Sequence, residues 1–267
     1  MHNVSNDLLN IQSNTFCDAN INNSTNAIHV QPTEDTYNVP KLLLSNVRSL
    51  VLKIDEIREF TLRNNIHLVF ITESWLRSSI SDVVISIPDF AVIRKDRQSD
   101  SHGGVCAYVK EGICKYKELK DLQCCENHEI LWLHLRPNRL PLGFSCIIAA
   151  VVYHPPGADE GSIRDNLFTS LLQAETKYPN CGFLITGDFN RLDIKQAANH
   201  FKLKQIVKVP TRKNVTLDLV FTSMHEFYNK PKAHPPFSLS DHNSILVPPK
   251  TRDRSTDNEK KIIMRRD

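Results

Sequence analysis

Three consecutive segments restrict the fold of this chain more than anything else in it. "KLLLSN" (41–46) is a short apolar strand. "LVLKIDEIREFTLRNN" (50–65) places Leu52, Ile54, Ile57, Phe60 and Leu62 near helical spacing with charges between them, and "HLVFITE" (67–73) is a second buried strand. Strand, helix and strand within some thirty residues mark an α/β protein. From 90 to 153 the segments "FAVIRKDR", "GGVCAYVKEGI", "HEILWLHLRP" and "GFSCIIAAVVY" read as successive strands broken by Gly, Pro and charges. "DNLFTSLLQAETKY" (165–178) returns to helical spacing, and "GFLITGD" is again a core strand whose Gly187 is expected to let the backbone turn at its end. "KQAANHFKL" predicts a short helix, and "TLDLVFTS" and "HNSILVPP" two last strands. No internal repeat is evident. The sum is a mixed, sheet-rich α/β domain at about 41–249, with two packed sheets and helices outside.

The flanks differ from this domain. Residues 1–40 are rich in Asn, Ser and Thr, lack Gly and show no sustained period, which predicts a disordered leader; 250–267, with seven basic residues and four acids, predicts a charged, solvated tail. The leader holds four acids (Asp7, Asp18, Glu34, Asp35) and no Lys or Arg. The whole chain's +3 and the leader's −4 therefore leave +7 on the other 227 residues. That is consistent with a polyanionic partner but far from the charge of a histone-like binder. The seven cysteines include no C-x-x-C pair, and Cys124 and Cys125 are adjacent, so reduced, mostly buried thiols are expected rather than a disulfide framework or a zinc ribbon. No basic-then-apolar signal opens the chain, and its longest apolar stretch, 144–153, is too short to span a bilayer. The four N-x-S/T sequons (Asn3, Asn22, Asn23, Asn214) then carry no message.

The strand reading exposes a pattern that composition could not. Asn46 ends "KLLLSN", Glu73 ends "HLVFITE", Tyr153 ends "CIIAAVVY", and Asp188 and Asn190 follow "GFLITG". Asp218 interrupts "TLDLVF", and Asp241 and His242 immediately precede "NSILV". Singly, each has a plain structural explanation: a carboxylate after a strand is most often a cap or turn residue, and a lone tyrosine sits at a core edge with its hydroxyl in water. Jointly, if these ends meet on one edge, they form a cleft of acids, amides, an imidazole and a phenol. That inventory suits phosphodiester hydrolysis. Glu73, Asn46 and Asp241 offer the hard oxygen ligands that hold Mg²⁺, and such a metal polarises a phosphoryl oxygen. Asp188 is suited to orient and deprotonate water, Asn190 and His242 to donate to the transition-state oxygens, and Asp218 to hold His242 in one tautomer.

The segments "SNVRSL" (45–50), "ITESWL" (71–76), "RKDR…GGVCAYV" (94–109), "VVYHPPG" (151–157), "GDFN" (187–190), "PTR…TLDLVFT" (210–222) and "LSDHNSI" (239–245) together resemble the endonuclease/exonuclease/phosphatase superfamily. Their wording is most similar to the endonuclease domain of LINE-type non-LTR retrotransposons. The resemblance implies a deoxyribonuclease-like four-layer α/β sandwich, two packed mixed β-sheets flanked by helices. It implies metal contact by Asn46 and Glu73, and by Asp241 in some members. It further implies leaving-group contact by Tyr153, water activation by Asp188, phosphate binding by Asn190 and an Asp218–His242 pair. Two departures point away from abasic-site selectivity: Arg48 stands where abasic-site endonucleases carry a second acid, and Pro156 where many members have a phosphate-binding asparagine. The second catalytic histidine of deoxyribonucleases has no clear counterpart, although His154 is nearby.

The leading expectation is thus a Mg²⁺-dependent DNA endonuclease, with Mn²⁺ as a substitute metal, that nicks one strand and leaves a 3′-hydroxyl. Its expected partners are double-stranded DNA and, in an intact element, a reverse transcriptase domain and element RNA. No reverse-transcriptase sequence follows, so the chain reads as an excised domain or a truncated copy of an element. A monomer acting inside the cell, at nuclear DNA, is expected. Arg94, Lys95 and Arg97 are expected in a loop between strands, where they could track phosphates or simply be solvated. Two other functions fit: a phosphatase of the same superfamily acting on phosphoinositide or sphingomyelin, and a catalytically inactive DNA-binding or interaction module.

Overall fold

A computed structural model describes residues 38–98, 102–122 and 127–251. The leader up to residue 37, Cys124 and Cys125, and the tail from 252 lie outside the described residues, as do the expectations for them. The strands are β1 (Leu42–Asn46), β2 (Leu68–Thr72), β3 (Phe90–Lys95), β4 (Val105–Lys110), β5 (Cys114–Glu118) and β6 (Glu129–Pro137). After them come β7 (Cys146–Tyr153), β8 (Cys181–Asp188), β9 (Lys204–Gln205), β10 (Asp218–Thr222), β11 (Lys232–His234) and β12 (Ser244–Val247). The α-helices are α1 (Ile54–Arg63), α2 (Glu160–Lys177) and α3 (Lys195–His200).

The strands form two six-stranded mixed sheets, ordered β11-β12-β1-β2-β4-β3 and β5-β6-β7-β8-β10-β9. Each sheet has one parallel pair, β1 with β2 and β7 with β8, and each pair is joined by a helical crossover, α1 or α2. A parallel pair needs such a crossover, because the chain must return to the same end before the next strand begins. The side chains of the two facing sheets, Leu44, Phe70 and Val105 against Leu133, Ala149 and Leu184, form the central core. The outer face of the first sheet is covered by α1 and by Leu76, Ile85 and Ile87; α2 and α3 cover that of the second. This is the expected four-layer α/β sandwich.

Several local expectations change. The helix predicted from residue 50 begins at Ile54, and it buries Ile54, Ile57, Phe60 and Thr61, while Leu52 is 81% exposed and Leu62 also faces water. Ile54, Ile57 and Phe60 make the apolar stripe, with Thr61 buried beside them, so the outer leucines are not needed. Helix α2 begins five residues before the expected start, because the Asp159 carboxylate accepts from the amides of Gly161 (3.0 Å) and Ser162 (3.3 Å) and caps it there. Asp218 starts β10 rather than interrupting it. Gly187 lies inside β8, not in a turn. Its φ is +146°, and a Cβ there would sit 1.8 Å from the carbonyl oxygen of Val152, its register partner on β7. Glycine is required by close strand approach.

The basic string also moves. Arg94 and Lys95 belong to strand β3. The Arg94 guanidinium donates to the carbonyls of Ile80 and Arg77 and to Asp82 and Asp96, all at 2.8–2.9 Å. Lys95 donates to the His128 carbonyl at 2.8 Å, and Arg97 to Glu129 at 2.7 Å. Arg94 and Lys95 therefore stand in a strand rather than in the expected loop, while Arg97 follows its end. Of the described cysteines, Cys106, Cys114 and Cys146 are buried and Cys181 partly so, all free thiols as expected. Among the described residues no helix is long and apolar enough to cross a membrane.

Candidate active site

The register of the second sheet places Glu129 beside Tyr153, Tyr153 beside Asp188, and Asp188 beside Asp218, one row across four adjacent strands. Register partners project to the same side, and Tyr153 belongs to the core between the sheets. The row therefore faces the other sheet, where Asn46 and Thr72 are themselves partners at the ends of β1 and β2 and Glu73 follows. Carboxyl ends of parallel strands and amino ends of their antiparallel neighbours thus converge on one edge of the sandwich.

Hydrogen bonds join the two sheets here. The Asn46 amide donates to Glu73 Oε1 at 2.8 Å and to Asp188 Oδ2 at 2.9 Å. Asp188 Oδ1 accepts the backbone N–H of Asn190 at 3.0 Å. His242, just ahead of β12 in the first sheet, donates from Nδ1 to Asp218 Oδ2 at 2.7 Å. That fixes the ring, and Nε2 is a donor when the imidazole is protonated. Ser240 braces the first sheet's side of the site, donating to the Asn46 carbonyl at 2.7 Å and accepting the His242 N–H at 3.3 Å. Glu73 (φ +51°) and Asn190 (φ +48°) both hold left-handed backbone. Such strain persists only where surrounding structure imposes it, and it clusters at working sites.

Burial and neighbouring charge tune these groups. Burial, then the Asp218 charge, pushes the Asp188 carboxyl up to about 7, against the pull of His242, the Asn190 N–H and the Asn46 amide. Burial alone would lower His242, but the hydrogen bond and charge of Asp218, with Asp188 and Asp241, raise it above the usual histidine value. Burial and the nearby Glu73, Asp188 and Glu129 raise Tyr153, so its phenol stays a neutral donor. A carboxyl raised toward neutrality beside an imidazole raised above its usual value makes this cluster a candidate for acid–base work.

Asn46 Oδ1 is buried without a hydrogen-bond partner and lies on the side chain that contacts Glu73. An orphaned amide oxygen next to a carboxylate is a hard donor set that fits Mg²⁺ or Mn²⁺. Asp241, the third expected ligand, is turned elsewhere: its carboxylate pairs with Arg212 at 2.6 Å and Arg48 at 3.4 Å. Burial works against ionisation, yet Arg212, His242 and Arg48 together hold Asp241 below the usual carboxylate range. Two guanidiniums accompany it, and it makes no hydrogen bond to Asn46 or Glu73 among the described contacts. Ligand atoms of Asp188, Asp218 and His242 also lie within 4.8 Å of one another. A cation there would have to displace the proton shared by His242 and Asp218, so Asn46 with Glu73 is the better cradle.

One contributor, Glu129, carried no signal in the sequence. Glu129 is buried, with burial raising its carboxyl, and it binds Arg97 and the Gly104 N–H. The Arg97 guanidinium lies 5.8 Å from the centre of the Tyr153 ring. Asn190 donates its side-chain amide to the His154 carbonyl at 2.7 Å, which fixes the side chain and leaves its second N–H available. A pocket of about 530 Å³ opens beside the site, lined by Pro156, Asn190, Arg191, Arg212, Lys213 and Leu217 among others.

No family model and no curated protein matches the chain. Solved structures do. The endonuclease domain of TRAS1, a telomere-specific non-LTR retrotransposon, superposes with a TM-score of 0.61 at 15% identity, over 82% of this chain and 100% of that one. The AP endonuclease LMAP from Leishmania major gives 0.62 at 14% identity, over 78% and 86%. An endonuclease/exonuclease/phosphatase from Bacteroides vulgatus gives 0.56 at 14% identity, over 78% and 97%.

Proposed function

We propose that this chain, which has the endonuclease/exonuclease/phosphatase fold, is a metal-dependent endonuclease that hydrolyses a phosphodiester of duplex DNA and leaves a 3′-hydroxyl. The observation that carries the reading is Asp188: a buried carboxyl at about 7, fixed by Asn46 and the Asn190 N–H beside the Asp218–His242 pair. Asp188 takes a proton from water as it attacks phosphorus in line with the departing O3′. His242 Nε2 and the free N–H of Asn190 donate to the equatorial oxygens as charge builds there. The Tyr153 phenol is the neutral donor available to the leaving oxygen. Asn46 and Glu73 would hold Mg²⁺ or Mn²⁺, which when bound polarises a phosphoryl oxygen and neutralises charge on the leaving one.

Motif order and the likeness to the TRAS1 domain support a finer reading, that the 3′-hydroxyl primes reverse transcription at nuclear DNA in an intact non-LTR element. Arg48 and Pro156 support intact duplex over abasic sites as substrate. The test is conversion of supercoiled plasmid to nicked circle with and without Mg²⁺, followed by polymerase extension from the nick. Metal-dependent nicks that extend without prior phosphatase treatment are expected. Nicks that need dephosphorylation before extension would place the cut on the other side of phosphorus and refute the chemistry.

A further inference from the structure

We infer that the outer edge of the second sheet carries the phosphate backbone of duplex DNA away from the active site, along a ridge of lysines. The inference rests on the endonuclease reading and deepens it. Between Asp193 and Asp218 the chain runs through 194–217 with six cations and no acid, although the whole sequence nearly balances 33 basic with 30 acidic residues. Along this run Phe201, Leu203 and Val207 are buried and Lys202, Lys204 and Lys208 exposed, so alternation turns the lysines outward.

Topology connects the ridge to the site. Strand β9 is the edge of its sheet and pairs Lys204 with Thr222 of β10. Thr222 is four residues from Asp218, roughly 13 Å at about 3.3 Å per residue. The chain then runs back toward the site: Ile206 N donates to the Val220 carbonyl, and Thr216 Oγ1 to the Val209 carbonyl. Thr211 Oγ1 accepts the amides of Leu217 and Asp218 at the base of the turn, and Arg212 and Lys213 reach the pocket beside Asn190. Lys202, Lys204, Lys208 and Lys213 form no ion pair with any described residue. An unneutralised row that begins at the catalytic pocket and continues for a strand's length matches the regular negative charge of a nucleic-acid backbone.

Edge lysines also prevent sheet-to-sheet association, and the test separates the two roles. Anisotropy of a labelled duplex, without divalent metal, gives the slope of log affinity against log salt between about 50 and about 200 mM. The triple variant Lys202→Ala, Lys204→Ala, Lys208→Ala should flatten that slope by ~0.9 for each phosphate that the variant leaves unneutralised. The control Lys115→Ala, Lys117→Ala, on the opposite edge strand β5, should keep the wild-type slope. A wild-type slope in the triple variant, or equal flattening in the control, overturns the ridge while leaving the endonuclease reading intact. A change seen with duplex RNA and not with duplex DNA also overturns it. A wild-type protein that neither binds nor nicks DNA fails the endonuclease reading itself, and the ridge with it.

Discussion

Asn46 at the end of one sheet donates its side-chain amide to Asp188 at the end of the other, at 2.9 Å, while the same nitrogen holds Glu73 at 2.8 Å. One neutral side chain thereby separates two carboxylates assigned different work, water activation and metal binding. Its side-chain nitrogen is spent on them, and its oxygen is buried without a hydrogen-bond partner.

Glu73→Gln keeps the length of the side chain and removes its charge. Nicking should fall at low Mg²⁺ and recover in part as Mg²⁺ is raised, and calorimetry should show weakened Mn²⁺ binding. Unchanged metal affinity would place the cation elsewhere, with Asp188, Asp218 and His242 the next set to test.

Asp218 holds His242 at 2.7 Å and raises its pKa. A histidine whose folded pKa exceeds its unfolded value adds stability that is fully present below about pH 6.5 and fades as pH rises through the folded pKa. Asp218→Asn removes most of this contribution. The melting-temperature loss should therefore be larger at low pH than at high pH, and the His242 ring resonances should titrate at lower pH than in wild type.

How much of the fold and site was legible follows from where the energy is local. Asn46, Glu73, Tyr153, Asp188 and His242 could be read because each ends or adjoins an apolar run, and a polar group there faces an exit from the core. Strand β5, "CKYKE", could not: one buried residue among charges gives no strand signal, and pairing with β6 alone orders it. Strands β9 and β11 are shorter still. Arg94, Lys95 and Arg97 looked like a loop because their partners, Asp82, His128 and Glu129, are distant in sequence. Asp241 shares that difficulty, since its pairing with Arg48 and Arg212 joins three separate loops.

The close approach at Gly187 is a purely structural requirement. Gly187→Ala should destabilise the protein by at least ~2 kcal/mol, since a Cβ would meet the Val152 backbone in a glycine-favouring conformation. Chemical denaturation measures it, and a near-neutral result would mean that β7 and β8 can separate without cost.

Arg94→Ala should cost ~1–3 kcal/mol, because it strips partners from two carbonyls and from Asp96. The salt dependence of DNA binding should stay at the wild-type slope. A flattened slope in a stable variant would restore Arg94 to the DNA surface.

The most direct measurement is the nicking rate of Asp188→Asn, taken with its DNA affinity and melting temperature on one preparation. The substitution preserves shape and removes the base. Nicking should fall by ~10²–10⁴-fold or more at every Mg²⁺ concentration, with the fold retained and DNA affinity little changed. A folded Asp188→Asn protein that nicks at the wild-type rate would contradict the mechanism.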